Sequence, residues 1–171
     1  NYYRIDQKSG KRTYITPKHT LGEAPYRFNW QTPILLSKHH PDVLYMGSNK
    51  LHRSLDQGAN WQALSDDLTQ GGRKGNVAFG TLTTISESAF EFGLIYTGSD
   101  DGLIHLTKDG GHSFSRISDA LPKDLWVSRV AASSHKKERV YATLNGYRND
   151  DFTAYVFVSD DYGASWKNIS T

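Results

Sequence analysis

The chain has no cysteine among its 171 residues. Disulfide staples and thiolate zinc sites are therefore excluded. It has a single methionine, Met46, and begins at Asn1, so it is read as a piece of a longer protein. No apolar run approaches the roughly 20 residues that a membrane helix needs, and no signal-like segment is visible. Membrane insertion is not expected. An excess of one charge is lacking too: 20 Lys and Arg stand against 18 Asp and Glu, a net charge of +2. Nucleic-acid binding wants a concentrated basic face, and these charges are scattered, so no nucleic-acid partner is expected. Helical periodicity is also missing, since no segment holds an apolar 3.6-residue period over three turns.

What is present is a repeat, the feature to establish before any other. The pattern Ser/Thr-x-Asp-x-Gly-x-x-Trp/Phe occurs as SLDQGANW from Ser54, TKDGGHSF from Thr107 and SDDYGASW from Ser159, at intervals of 53 and 52 residues. Each copy sits among the same four short β-rich runs, bounded by Gly, Asp, Asn and Ser. In the first repeat these are TPILLS, VLYMGS, KLHRS and NWQALS; in the second TLTTIS, LIYTGS, LIHLT and SFSRIS; in the third SRVAAS, RVYATL, AYVFVS and SWKNIS. Four short strands in about 50 residues is the unit of a β-propeller blade. The fold class expected is all-β: a partial propeller of four-stranded antiparallel blades, about three and a half in number. The blades are placed at 28–69, 76–118 and 126–171. Residues 1–17, two strands around DQKSGK, form the outer half of a preceding blade.

The motif falls between the third and fourth strands and reads as a turn device. Gly58, Gly111 and Gly163 supply positive φ without a Cβ penalty. Asp56, Asp109 and Asp161 accept hydrogen bonds from turn N–H groups, helped by the hydroxyls of Ser54, Thr107 and Ser159. Trp61, Phe114 and Trp166 cover the hairpin and fill space between blades.

On these motifs, and on YRFNWQTPILLSKHHPDVLYMGSNKLHRSLDQGANW, the sequence resembles the BNR-repeat, or Asp-box, family of β-propellers. It looks most like the large bacterial members described as sortilin-like or glycosyl-hydrolase-like, and the resemblance covers nearly the whole chain. It implies a structural motif turned away from the functional face. It also implies a periplasmic or secreted location. An Arg-x-Asp-Val-Gly-Gly-like segment of the xyloglucan-cleaving type is absent, and no FRIP-like motif places an arginine in the sialidase manner. The resemblance therefore implies a binding or scaffold module for a glycan, peptide or protein. The alternative is part of a sialidase- or xyloglucanase-like glycoside hydrolase whose missing blades complete the site.

Strand alternation puts the loops after the second and fourth strands on the face opposite the motifs, and loops on a rigid scaffold commonly carry function. There Arg27, Asn29, Trp30 and Gln31 combine an aromatic face with guanidinium and amide donors suited to sugar or peptide recognition. The competing reading is that Phe28 and Trp30 pack at the blade entrance. NGYRNDDFT lengthens the third repeat and brings Tyr147 and Arg148 to a tip, either as a special surface or as a neutral insertion. Asp100, Asp150 and Asp151 are the weak catalytic candidates, because glycoside hydrolysis needs two carboxylates about 5–10 Å apart. SDDG reads equally as a plain turn. The seven histidines show no metal-ligand spacing, so neither metal nor cofactor is expected. Three and a half blades leave open edges and bare faces. The partners expected are the remaining blades of a parent chain, or a second copy.

Overall fold

The computed structural model describes residues 1–75 and 77–170. The blade limits expected at 76 and 171 lie outside the described residues. Three four-stranded antiparallel sheets follow one another, each in sequence order. The first holds β3 (Ile34–Leu36), β4 (Leu44–Gly47), β5 (Leu51–Ser54) and β6 (Gln62–Ala63). The second holds β7 (Leu82–Glu87), β8 (Ile95–Ser99), β9 (Ile104–Thr107) and β10 (Ser115–Arg116). The third holds β11 (Trp126–Ala132), β12 (Val140–Gly146), β13 (Asp151–Ser159) and β14 (Lys167–Asn168). Before them stands a hairpin of β1 (Tyr3–Ile5) and β2 (Arg12–Tyr14).

Strand periodicity explains the packing, because successive side chains point to opposite faces. Ile95 of β8 lies in a core with Tyr45, Val43 and Leu82, between the first and second sheets. Its neighbour Tyr96 lies in the other core, with Val127, Val130 and Leu144, between the second and third. All five residues of β8 are buried, whereas in β12 buried and half-buried residues alternate. The middle sheet is covered on both faces and the last on one. Glycines permit the close approach of the sheets: a Cβ on Gly98 would stand 2.5 Å from Val127 Cγ1. Glu87, fully buried, ties the first two sheets together. Its carboxylate accepts the Tyr45 hydroxyl at 2.9 Å, the Ser37 hydroxyl at 2.7 Å and the Lys38 N–H at 3.1 Å.

The repeated motif builds the same hairpin three times. Gly58, Gly111 and Gly163 have φ of +87°, +100° and +90°. Their N–H groups donate to Ser54, Thr107 and Ser159 hydroxyls at 2.7, 2.9 and 2.7 Å. Those hydroxyls donate in turn to Asp56, Asp109 and Asp161. A further member of the motif escaped the sequence pattern. Asn60, Ser113 and Ser165 each give the aspartate both a backbone N–H and a side-chain hydrogen bond. Backbone and then side-chain donation from Asn60 holds Asp56 at about 2, the hydroxyl and then the N–H of Ser165 hold Asp161 at about 2, and those of Ser113 depress Asp109 likewise.

Each hairpin is also fastened to the strand pair before it. The Trp61 indole N–H donates to the Ile15 carbonyl at 2.7 Å, and that of Trp166 to the Ile117 carbonyl at 2.8 Å. A Cβ on Gly58, Gly111 or Gly163 would meet Ile15, Leu64 or Ile117 at 3.0 Å or less. Ile15 follows β2 as Leu64 follows β6 and Ile117 follows β10, so the N-terminal hairpin stands where the outer two strands of a sheet would.

The 145–153 insertion does not form a free loop. It prolongs β12 and β13, with Gly146 paired to Asp151 across a single 3-10 turn at Tyr147–Asn149.

Candidate functional site

The two ends of the sheets differ in what they hold. The motif hairpins bond to the turns after the first strands: Gln57 N–H to Asp42, Gly110 N–H to Gly93 and Tyr162 N–H to Glu138. At the opposite end the remaining loops gather. Leu68 N–H donates to the Asn49 carbonyl, and Gln70 N–H to Asp101 at 2.7 Å. Gln70 Nε2 donates to Asp124 at 3.0 Å.

Two adjoining cavities open on that loop end. One, of about 330 Å³, is lined by Arg73, Lys74, Asp100, Asp124, Trp126, Asn145, Arg148 and neighbours. The other, of about 300 Å³, is lined by Arg27, Phe28, Trp30, Thr81, Arg73 and Phe79 among others. Arg73, Gly75, Val77 and Phe79 line both. The Arg73 guanidinium lies 3.8 Å from the Phe79 ring centre, and that of Arg148 lies 4.3 Å from the Trp126 ring. Aromatic faces hold these cations by quadrupole attraction while leaving N–H groups to serve a ligand. Asn145 Oδ1 is buried without a partner among the described residues. A third cavity, of about 490 Å³, lies beside Asp101, Arg116, Lys123 and Asp124.

The residues singled out from sequence divide sharply. Arg27 does not project freely: Nε donates to the Gly80 carbonyl and Nη2 to Asp67 and Thr69, clamping two loops. Asn29 is buried, its amide donating to Thr81 at 2.9 Å and its oxygen accepting the Gln31 N–H. Trp30 is 72% exposed, and Gln31 is exposed beside it. Tyr147 is exposed, and its hydroxyl accepts a hydrogen bond from Arg148. Arg148 reaches the cavity, over Trp126.

Asp100 and Asp151 are each engaged by other groups. Asp100 is 3% exposed, with Oδ1 accepting the Thr81 N–H at 2.9 Å and Oδ2 the Thr81 hydroxyl at 2.7 Å. Asp151 accepts the Thr153 N–H and the Tyr155 hydroxyl instead. Asp150 sits at the left-handed end of the 3-10 turn, φ +56°. Asp101 is buried, accepting the Ser99 hydroxyl and the Gln70 N–H, and burial pushes its carboxyl up. Removing the Asp100 carboxylate strands the Thr81 donors, which are buried. Asp100→Ala is therefore expected to cost about 1–3 kcal/mol in urea denaturation; an unchanged midpoint would contradict this structural role.

The histidines described have separate partners. His52 is buried against the Tyr26 ring and the Ser48 hydroxyl, and His39 Nε2 meets the Ser88 carbonyl. No three His, Asp or Glu converge as metal ligands among the described residues. Among them also, no helix is long and apolar enough to cross a membrane.

No family model matches the chain, and no curated protein sequence matches it. Solved structures do. The GH74 xyloglucanase from Xanthomonas campestris is similar at 20% identity and TM-score 0.56, over 77% of this chain and 21% of that one. YCF48 from Cyanidioschyzon merolae is similar at 16% identity and TM-score 0.56, over 84% and 37%. YCF48 bound to D1 peptide is similar at 14% identity and TM-score 0.52, over 89% and 46%. The chain is a partial β-propeller. Its sheets are blades, and it spans less than half the length of each of these neighbours. At such identities the likeness is one of fold, and function has to be argued from the site.

Proposed function

We propose that this chain is a segment of an Asp-box propeller that binds an acidic peptide segment of a partner protein on its loop face. In this reading the blades run 28–69, 76–118 and 126–171, with 1–17 as the outer half of another. The observation that carries the proposal is the pair of arginines braced on aromatic rings, Arg73 on Phe79 and Arg148 on Trp126, around one cavity. Lys74 adds to the positive charge, while of the two carboxylates in the lining Asp100 accepts from Thr81 and Asp124 from Gln70. Guanidinium groups recognise carboxylates through paired N–H donors. The buried Asn145 oxygen calls for an N–H donor, which a peptide backbone supplies. A propeller of the same fold has been solved with a peptide bound.

The second reading is a part of a glycoside hydrolase. The exposed Trp30 indole favours it, because a flat aromatic face can stack on a sugar ring. The engagement of Asp100 by Thr81, and of Asp151 by Thr153 and Tyr155, weighs against it. The two readings separate on a labelled peptide taken from an acidic random library, followed by fluorescence anisotropy. Arg148→Ala and Arg73→Ala are each expected to weaken binding by about 5- to 20-fold, and raising salt to weaken it further. Binding indifferent to both substitutions and to salt would end the peptide reading.

A further inference from the structure

The third blade ends the chain with one face uncovered, and its residues can be compared with those that earlier blades present to their followers. Tyr45 and Tyr96 occupy one register position in β4 and β8, and each is fully buried by the next blade. Tyr141 holds the same position in β12 and is only half-buried. On the outer edge, Ile15, Leu64 and Ile117 each receive a motif glycine from the following blade. Ile169 is the next member of that series. Its N–H bonds Val156 as those of Leu64 and Ile117 bond Leu51 and Ile104, and it is 40% exposed. The inner half of the face departs from the series. Thr143 stands where the earlier blades have Gly47 and Gly98, against which Leu82 and Val127 of the following blades press.

We infer that this face takes a fourth blade carrying its own Ser/Thr-x-Asp-x-Gly-x-x-Trp/Phe hairpin, with a small residue at the inner-strand position of Leu82 and Val127. The hairpin glycine lies over Ile169, the blade buries Tyr141, and the small residue clears the Thr143 side chain. The interface continues two that are already present in the chain. A second copy of the chain fits poorly. Its three motif hairpins are already seated on Ile15, Leu64 and Ile117, and Arg12 stands in its N-terminal hairpin at the place of the motif aromatic. This inference does not depend on what the loop face binds.

The test extends the chain after Ser170 by a further copy of residues 119–170, with Val127→Ala in the added copy. Thermal midpoints are compared with and without Ile169→Asp. In the 171-residue chain the substitution is expected to shift the midpoint by less than about 2 °C, since the site is partly exposed. In the extended chain it should lower the midpoint by about 8–15 °C, as Ile117→Asp should in either chain, because a charge is then buried. An added copy that keeps Val127 should need Thr143→Gly to dock equally well. Equal shifts in both chains, or an added copy that stays protease-sensitive in every version, would overturn the inference. So would a sedimentation mass of the 171-residue chain that Ile169→Asp cuts in half, since the face would then belong to a second copy.

Discussion

Gly163→Ala is expected to destabilise the protein by about 3–4 kcal/mol, and Gly163→Val to leave little folded material. Two costs combine at this position. A left-handed φ of +90° costs a residue with a Cβ about 1–2 kcal/mol. The new Cβ would also lie 2.5 Å from Ile117 Cδ1 and 2.9 Å from Ile117 Cβ, so the hairpin would have to lift off the preceding blade. Lifting it breaks the Trp166 indole bond to the Ile117 carbonyl. Gly71 separates the two costs, because its φ is +100° and nothing stands within 4 Å of its Cβ position. Gly71→Ala should therefore cost only the backbone part, about 1–2 kcal/mol. Adding Ile117→Ala to Gly163→Ala should recover part of the loss, giving a coupling that independent sites lack. If urea denaturation gave Gly163→Ala and Gly71→Ala the same cost, the contact between motif and preceding blade would carry no energy.

The second large effect is a loss of stability in mild acid. Burial first, and then the nearby Lys50 charge, depress His52 from 6.5 to about 4. Burial and then Arg116 do the same to His105, also to about 4. A histidine kept neutral by the fold binds its proton more readily when unfolded. Its contribution is complete above pH 6.5 and disappears as pH falls towards 4. Two such groups are worth about 2–3 kcal/mol each at pH 7. Asp101, raised by burial, works in the opposite sense, since its folded form holds a proton more tightly. The aspartates of the motif keep their charge well below this window. The urea midpoint is therefore expected to fall steadily between pH 6.5 and 4, and His52→Gln to flatten that fall by about half. A midpoint constant over the window would contradict the neutral state of buried His52 and half-buried His105.

The repeat made the blades legible because turns demand particular residues at fixed spacing: a glycine for φ, an aspartate for N–H groups, an aromatic to cover them. Asn60, Ser113 and Ser165 carried a weaker signal, as two residue types share one job. Arg27 could not be read correctly from its neighbours, because its partners Asp67, Thr69 and Gly80 lie 40 to 53 residues away. Nothing in the local sequence marks Glu87, and only the docking of two blades makes it a buried acceptor for Tyr45 and Ser37. Arg148 was visible at its tip, but its platform Trp126 belongs to another strand, and Arg73 sits in a loop without a pattern. A site assembled from long-range neighbours leaves no local spacing to find.

Binding of an acidic peptide on the loop face is the central proposal. The direct measurement is calorimetric titration of the 171-residue protein with a library-selected acidic peptide and, separately, with a xyloglucan oligosaccharide, analysing the sugar afterwards for cleavage. Saturable peptide binding that weakens with salt and with Arg148→Ala is expected, together with an intact oligosaccharide. A cleaved oligosaccharide, or a peptide that binds no better to the protein than to the Arg73→Ala, Arg148→Ala double variant, would contradict it.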